Sequence, residues 1–183
     1  FHQVKIEYVQ LLSDGMVDLE HLESLLKDNQ DKTLVSLMYA NNEIGNLLDF
    51  EKVSQLCKTH QALFHSDTVQ AFGHFPIDVQ KVEVDFLSAS AHKFHGPKGI
   101  GFLYQKKKSK VASFLHGGGQ ERGYRAGTEN VYGIVGLGKA AELAYQHLEK
   151  DRQYIQSIKD YFKEQLLANF KDIQFNGHSK NSL

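Results

Sequence analysis

The feature that most constrains this chain is a polar segment held between two apolar runs. Val84-Asp85-Phe86-Leu87 leads into Ser88-Ala89-Ser90-Ala91-His92-Lys93-Phe94-His95-Gly96-Pro97-Lys98-Gly99, and Ile100-Gly101-Phe102-Leu103-Tyr104 follows. Both flanking runs read as buried strands, with Gly96-Pro97-Lys98-Gly99 as the turn between them. Lys93 therefore falls just past a strand end, among hydroxyls and imidazoles. In an open α/β sheet, ligands bind in the crevice outside the C-terminal ends of the strands. An amine sheltered there is the kind of nucleophile that forms a Schiff base with a carbonyl carbon. Read alone, a lysine in a turn is more often a solvated surface residue.

The rest of the chain supplies a sheet for that segment. Val4-Lys5-Ile6-Glu7-Tyr8 is strand-like, and Ser13-Asp14-Gly15 makes a turn. Asp18 can cap a short helix whose Leu19, Leu22, Leu25 and Leu26 share one face. The run from Thr33 to Tyr39 has little polar alternation, as expected of a strand covered on both faces. It ends on the turn formers Asn41-Asn42-Glu43-Ile44-Gly45. Asp49 opens a second amphipathic helix with Phe50, Val53, Leu56 and Cys57 inward. Ala62-Leu63-Phe64-His65 is a further strand delivering Asp67 and Gln70 at its far end, and Ile77 to Glu83 connects to the lysine strand. This β-α-β-α order predicts a mainly parallel sheet flanked by helices, an α/β fold. Its loops would carry Asn42, Asp67 and Lys93 to one rim.

Beyond Lys93 the pattern changes. Gly101 to Tyr104 and Val111 to Leu115 read as neighbouring strands around a solvated Lys106-Lys107-Lys108 turn. Val131 to Phe170 carries a long helical pattern, small and apolar at its start and charged at its end. Ile173-Gln174-Phe175 suggests one more strand.

Four blocks together carry a family resemblance: Asn41-Asn42-Glu43-Ile44-Gly45, His65-Ser66-Asp67-Thr68-Val69-Gln70, the lysine segment, and Gly117 to Asn130. In this order they resemble the class V aminotransferase family of pyridoxal-phosphate enzymes, and within it the NifS-like cysteine desulfurases. The resemblance implies a partial large cofactor domain over 1–135, a long connecting helix over 136–170 and the start of a small C-terminal domain over 171–183. It implies removal of sulfur from L-cysteine, giving L-alanine and an enzyme persulfide, in a longer parent protein. The sulfur would pass to an acceptor such as an iron–sulfur scaffold protein. Selenocysteine lyase, or another class V enzyme, is the alternative with the same cofactor. A non-catalytic interaction module is the alternative from another class.

The resemblance also assigns roles. Lys93 matches the residue that holds the cofactor and moves the Cα proton. Asp67 matches the carboxylate set against the pyridinium nitrogen, where an anion keeps the ring an electron acceptor. Gln70 and Asn42 match amides that bond the phenolic oxygen, Ser90 and His92 match phosphate contacts, and Thr128 matches a contact to the partner subunit's phosphate, which implies a homodimer. Outside the resemblance each has a plainer reading: an Asx turn or cap for Asp67, loop formation for Asn42 and Gln70, a buried histidine for His92, a small strand-end residue for Ser90. His65, His92 and His95 carry imidazoles, yet no metal-ligand spacing accompanies them. Arg122 and Arg125 fit an ion pair or a site entrance equally. Gln120 does not fix the subtype. Cys57 lies on the inward face of a helix, where cysteine packs as a small hydrophobe. The matching catalytic cysteine would lie beyond Leu183, so the 183-residue chain is expected to be inactive alone.

Bulk properties narrow the remaining classes. A net charge of -1 with ten histidines counted neutral gives no electrostatic case for nucleic acid or an anionic membrane. No apolar run nears the roughly 20 residues of a membrane span. The single cysteine excludes an internal disulfide and fits a reducing compartment, so a cytoplasmic location is expected.

Overall fold

The computed structural model describes residues 4–28, 31–109 and 111–177. Strands β1 (Leu34–Met38), β2 (Leu63–Asp67), β3 (Phe86–Ser90) and β4 (Gly101–Gln105) form one sheet in that spatial order. β1, β2 and β3 run parallel, and β4 returns antiparallel to β3. The mainly parallel α/β sheet expected from the element order is therefore present.

Helices α1 (Leu19–Lys27) and α2 (Phe50–Thr59) form where the sequence supplies both a cap and an apolar stripe. Asp18 accepts from the His21 amide at 2.9 Å, and Asp49 from the Lys52 amide at 3.0 Å. Each carboxylate satisfies a donor that the first helical turn cannot use internally. The stripes bury Leu22 and Leu26 of α1 and Phe50, Val53, Leu56 and Cys57 of α2. They meet Val35, Phe64 and Leu87 from alternate positions of β1, β2 and β3 in one core. Tyr39 stacks on Phe50 with ring centroids 4.7 Å apart, extending that core past the end of β1.

The other face of the sheet departs from expectation. Leu34 (54% exposed), Leu63 and Leu103 lie open, so β1 is covered on one face only. Its alternation is hidden in sequence because Leu34, Leu37 and Met38 are apolar on both faces.

The run Val131 to Phe170 forms one helix, α3 (Val131–Asn169), capped by Asn130 through the Gly133 amide at 3.1 Å. Small residues let α3 approach the lysine segment. A Cβ on Gly136 would stand 2.6 Å from Pro97, and one on Gly96 would stand 3.2 Å from Ala140.

Three expected strands are not strands. Val4 to Tyr8 is exposed and outside the sheet, Val111 to Leu115 contributes only a bridge from Leu115 to Arg125, and Ile173 to Phe175 pairs with nothing among the described residues. All three have strand-like composition, but a strand exists only where a neighbouring ladder takes its backbone groups. Lys107 and Lys108 form the expected exposed turn, while Lys106 bridges to Glu83 at 3.5 Å.

Candidate active site

The C-terminal ends of β2 and β3 put the central candidates side by side. Asp67 is the last residue of β2, in register with Met38 of β1 and Ser88 of β3. It therefore belongs to the strand itself, which runs on to Asp67 instead of ending at His65 as expected. Side chains alternate along strands, so His65, Asp67, Ser88 and Ser90 share the face opposite Phe64 and Leu87. Ser90 closes β3, and a 3-10 helix (Ala91–Phe94) begins at once, carrying His92 and Lys93. Lys93 is thus on a helical turn rather than in a loose loop. Its side chain is half-buried and makes no ion pair among the described residues.

The donors and acceptors at this rim are specific. The Val69 amide donates to Asp67 Oδ1 at 2.9 Å, closing an Asx turn. Oδ2 takes no hydrogen bond among the described residues. Ser90 Oγ lies 2.8 Å from His92 Nδ1, so hydroxyl and imidazole act as one unit with Nε2 on the open side. The Asx-turn reading of Asp67 and a role toward a ligand are therefore compatible, because each uses a different oxygen. His65 lies 2.8 Å from Ser36 Oγ across the β1–β2 ladder. Burial pushes its pKa down, and the Asp67 carboxylate partly offsets that.

Gln70 is half-buried in the turn that follows Asp67. Asn42 sits in the loop after β1, at the same end of the sheet, but is exposed and gives its amide to Glu43 Oε1 at 2.7 Å. Thr128 belongs to a different neighbourhood. It lines a cavity of about 590 Å³ with Leu115, His116, Gln120, Arg125 and the glycines around them, and no residue of the rim reaches it. In that loop Arg125 donates to the Ala126 carbonyl at 3.1 Å, and Gln120 Oε1 accepts from the Gly127 amide at 3.1 Å. Another cavity, of about 800 Å³, runs between residues 4–11 and β1 and contains none of the candidates. His95 takes a left-handed conformation (φ 67°) and caps the 3-10 helix.

Cys57 is 2% exposed, and burial pushes its thiol up to about 12. Packing is its place. One residue at the rim escaped the sequence reading: His74, whose Nε2 lies 2.9 Å from the Lys93 carbonyl oxygen. Its only sequence signal is position, four residues after Gln70 and next to Gly73.

The family model for Aminotransferase class-V matches residues 1–182. The chain belongs to the class V aminotransferase family. Within it, the chain is 42% identical to the cysteine desulfurase IscS of Dictyoglomus turgidum, over 98% of its own length and 45% of that relative. Among solved structures, it matches a NifS-like protein from Rickettsia africae with a TM-score of 0.90 at 35% identity, covering 96% of this chain and 49% of that one. It also matches SspA in complex with cysteine, with a TM-score of 0.71 at 36% identity, covering 74% of this chain and 39% of that one. This class V chain thus spans a little under half the length of the curated relatives it matches. Among its described residues no helix is long and apolar enough to cross a membrane.

Proposed function

We propose that this chain is the lysine-bearing part of a pyridoxal-phosphate-dependent cysteine desulfurase, which converts L-cysteine to L-alanine and leaves the sulfur on an enzyme thiol. The observation that carries the reading is the pairing of two neighbouring strand ends. β2 delivers a carboxylate with one oxygen uncommitted among the described residues, and β3 delivers, through Ser90, a helical turn bearing an amine with no ion pair among them. The similarity to the Dictyoglomus turgidum desulfurase and to a relative solved with cysteine supports the substrate.

The residues present fit the cofactor. An amine without a salt-bridge partner and a carboxylate oxygen without a donor, both among the described residues, and a joined hydroxyl and imidazole are complementary to an aldehyde, a protonated ring nitrogen and a phosphate. When bound, the pyridine ring withdraws electrons from the substrate Cα, which makes the Cα proton acidic. Asp67 Oδ2 would keep the ring nitrogen protonated. Lys93 Nζ would hold the aldehyde group and, once the substrate amine displaces it, would serve as the base for the Cα proton and return a proton to the product. Ser90 and His92 bind the phosphate. Gln70 orients the ring through its amide, and Asn42 joins it once its side chain leaves Glu43. Thr128 serves the site of a second copy in a homodimer, which agrees with its lying apart from the rim of its own chain. The thiol that receives sulfur comes from outside this chain, because its one cysteine is buried. From there sulfur passes to an acceptor protein. Over the chain, we assign 1–135 to a cofactor domain, 136–170 to a connecting helix and 171–183 to the start of a smaller domain.

The test is borohydride trapping. The full-length protein, loaded with pyridoxal phosphate and reduced, is expected to carry the label on the peptide containing Lys93. A label elsewhere, or none, overturns the reading. Sulfide or persulfide formation from L-cysteine, against selenide from selenocysteine, separates desulfurase from lyase.

A further inference from the structure

The turn after Gln70 and the 3-10 helix of Lys93 touch through three consecutive residues. Phe72 and Phe94 rings lie 5.0 Å apart. Gly73, at φ +82°, comes so close that a Cβ on it would stand 2.7 Å from Phe94 Cβ. His74 Nε2 then reaches the Lys93 carbonyl at 2.9 Å. A carbonyl only accepts, so the proton sits on Nε2.

That hydrogen bond fills a specific need. A helix leaves its last carbonyls without internal donors, and in a four-residue 3-10 helix this affects most of them. Here the amides that turn back, from His95 and Gly96, both go to the Ala91 carbonyl. The Lys93 carbonyl is served by the imidazole of His74. The turn holding His74 is itself fixed, since Ala71 and Phe72 amides donate to the Thr68 carbonyl, and His74 and Phe75 amides to that of Ala71. It is continuous with Asp67, Val69 and Gln70. Behind it stands α3: a Cβ on Gly73 would also meet Ala144 at 3.3 Å, and Tyr145 packs its ring 5.3 Å from Phe72.

We infer that His74 is a positioning residue for Lys93. By holding the Lys93–Phe94 peptide plane, it fixes the direction in which the lysine stem leaves the backbone and ties that direction to the turn bearing Asp67 and Gln70. The inference rests on the proposed role of Lys93 as the nucleophilic amine. In this role His74 acts through the Lys93 backbone, by its contact with the carbonyl oxygen.

Two measurements on the full-length protein test it. The first uses ring-labelled histidine and nitrogen NMR without pyridoxal phosphate. His74 is expected to be a fixed Nε2–H tautomer with a slowly exchanging proton, and a mobile ring or an Nδ1–H tautomer overturns the inference whatever the protein catalyses. The second compares His74→Gln and His74→Leu for the rate at which Lys93 becomes trappable by borohydride after pyridoxal phosphate is added. The leucine variant is expected to slow by about tenfold, the rate equivalent of one hydrogen bond. The glutamine variant, which keeps an N–H donor, is expected to recover most of that rate. Equal rates for wild type and leucine variant, or glutamine as slow as leucine, overturn it. If the leucine variant does not fold, the glutamine variant and the wild-type tautomer still decide. Absence of trapping in the wild type counts against the role of Lys93 itself, while the NMR result continues to judge the His74 contact.

Discussion

Ser109 donates its hydroxyl to Oδ1 of Asp85 at 2.6 Å, and the other oxygen of that carboxylate accepts from the Phe64 amide at 2.9 Å. One side chain just ahead of β3 thereby ties the start of β2 to the chain leaving β4. Asp85→Ala leaves a backbone donor and a buried hydroxyl without their acceptor, and is expected to cost about 3 kcal/mol, with Asp85→Asn costing less. Urea unfolding midpoints at unchanged slope check both values.

Asp67 serves two purposes through two atoms, so substitutions can separate them. Asp67→Asn keeps an oxygen for the Val69 amide while removing the charge. Stability is expected to change little. Turnover in the full-length protein is expected to fall by on the order of a hundredfold or more, as for loss of a preorganised electrostatic partner. Asp67→Ala should lose both the turn and the turnover. Paired melting curves and desulfurase assays distinguish the two patterns.

Cys57 sets a pH limit on stability. Burial first, and the Asp85 charge second, raise its thiol to about 12 in the folded protein, against roughly 8.5 in an unfolded chain. Because the folded value is the higher one, its contribution is fully present below about pH 8.5 and declines as pH rises through about 12. Denaturation midpoints measured from pH 8 upward should fall in wild type and fall less in Cys57→Ala. The same burial predicts that the 183-residue chain, given L-cysteine and pyridoxal phosphate, releases no sulfide. It also predicts that Cys57→Ala leaves full-length activity intact.

Gly73→Ala tests the close approach behind Lys93. The left-handed backbone and the 2.7 Å separation from Phe94 Cβ leave no room for a methyl group. The cost is expected to be about 2 kcal/mol. A thermal melt reads it, and faster amide exchange over 91–96 shows that the strain falls on the lysine segment.

Much of this was legible in the residues. Asp18 and Asp49 announced α1 and α2 because a cap and an apolar stripe are both local signals. The strand–turn–strand form of the lysine segment and the length of α3 were legible too, because both are local patterns. What escaped depends on distant partners. Val4-Lys5-Ile6-Glu7-Tyr8 has the composition of a strand but no ladder beside it, and composition does not report neighbours. His74 could be found only once the Lys93 carbonyl lay beside it, since no spacing rule joins residues 74 and 93.

The antiparallel return of β4 has a further consequence. β3 and β4 pair without a break from Phe86 and Gln105 to Ser90 and Gly101, and the Ala91 amide bonds the Ile100 carbonyl at 3.0 Å. The ten residues between them are closed at both ends by the ladder. Phe102 meets Phe72, with ring centroids 5.0 Å apart, only in this register. A slip of β4 by one residue along β3 would turn Phe102 to the opposite face of the sheet. The hairpin ladder therefore holds the lysine segment at a set distance from the aromatic contact on the neighbouring turn.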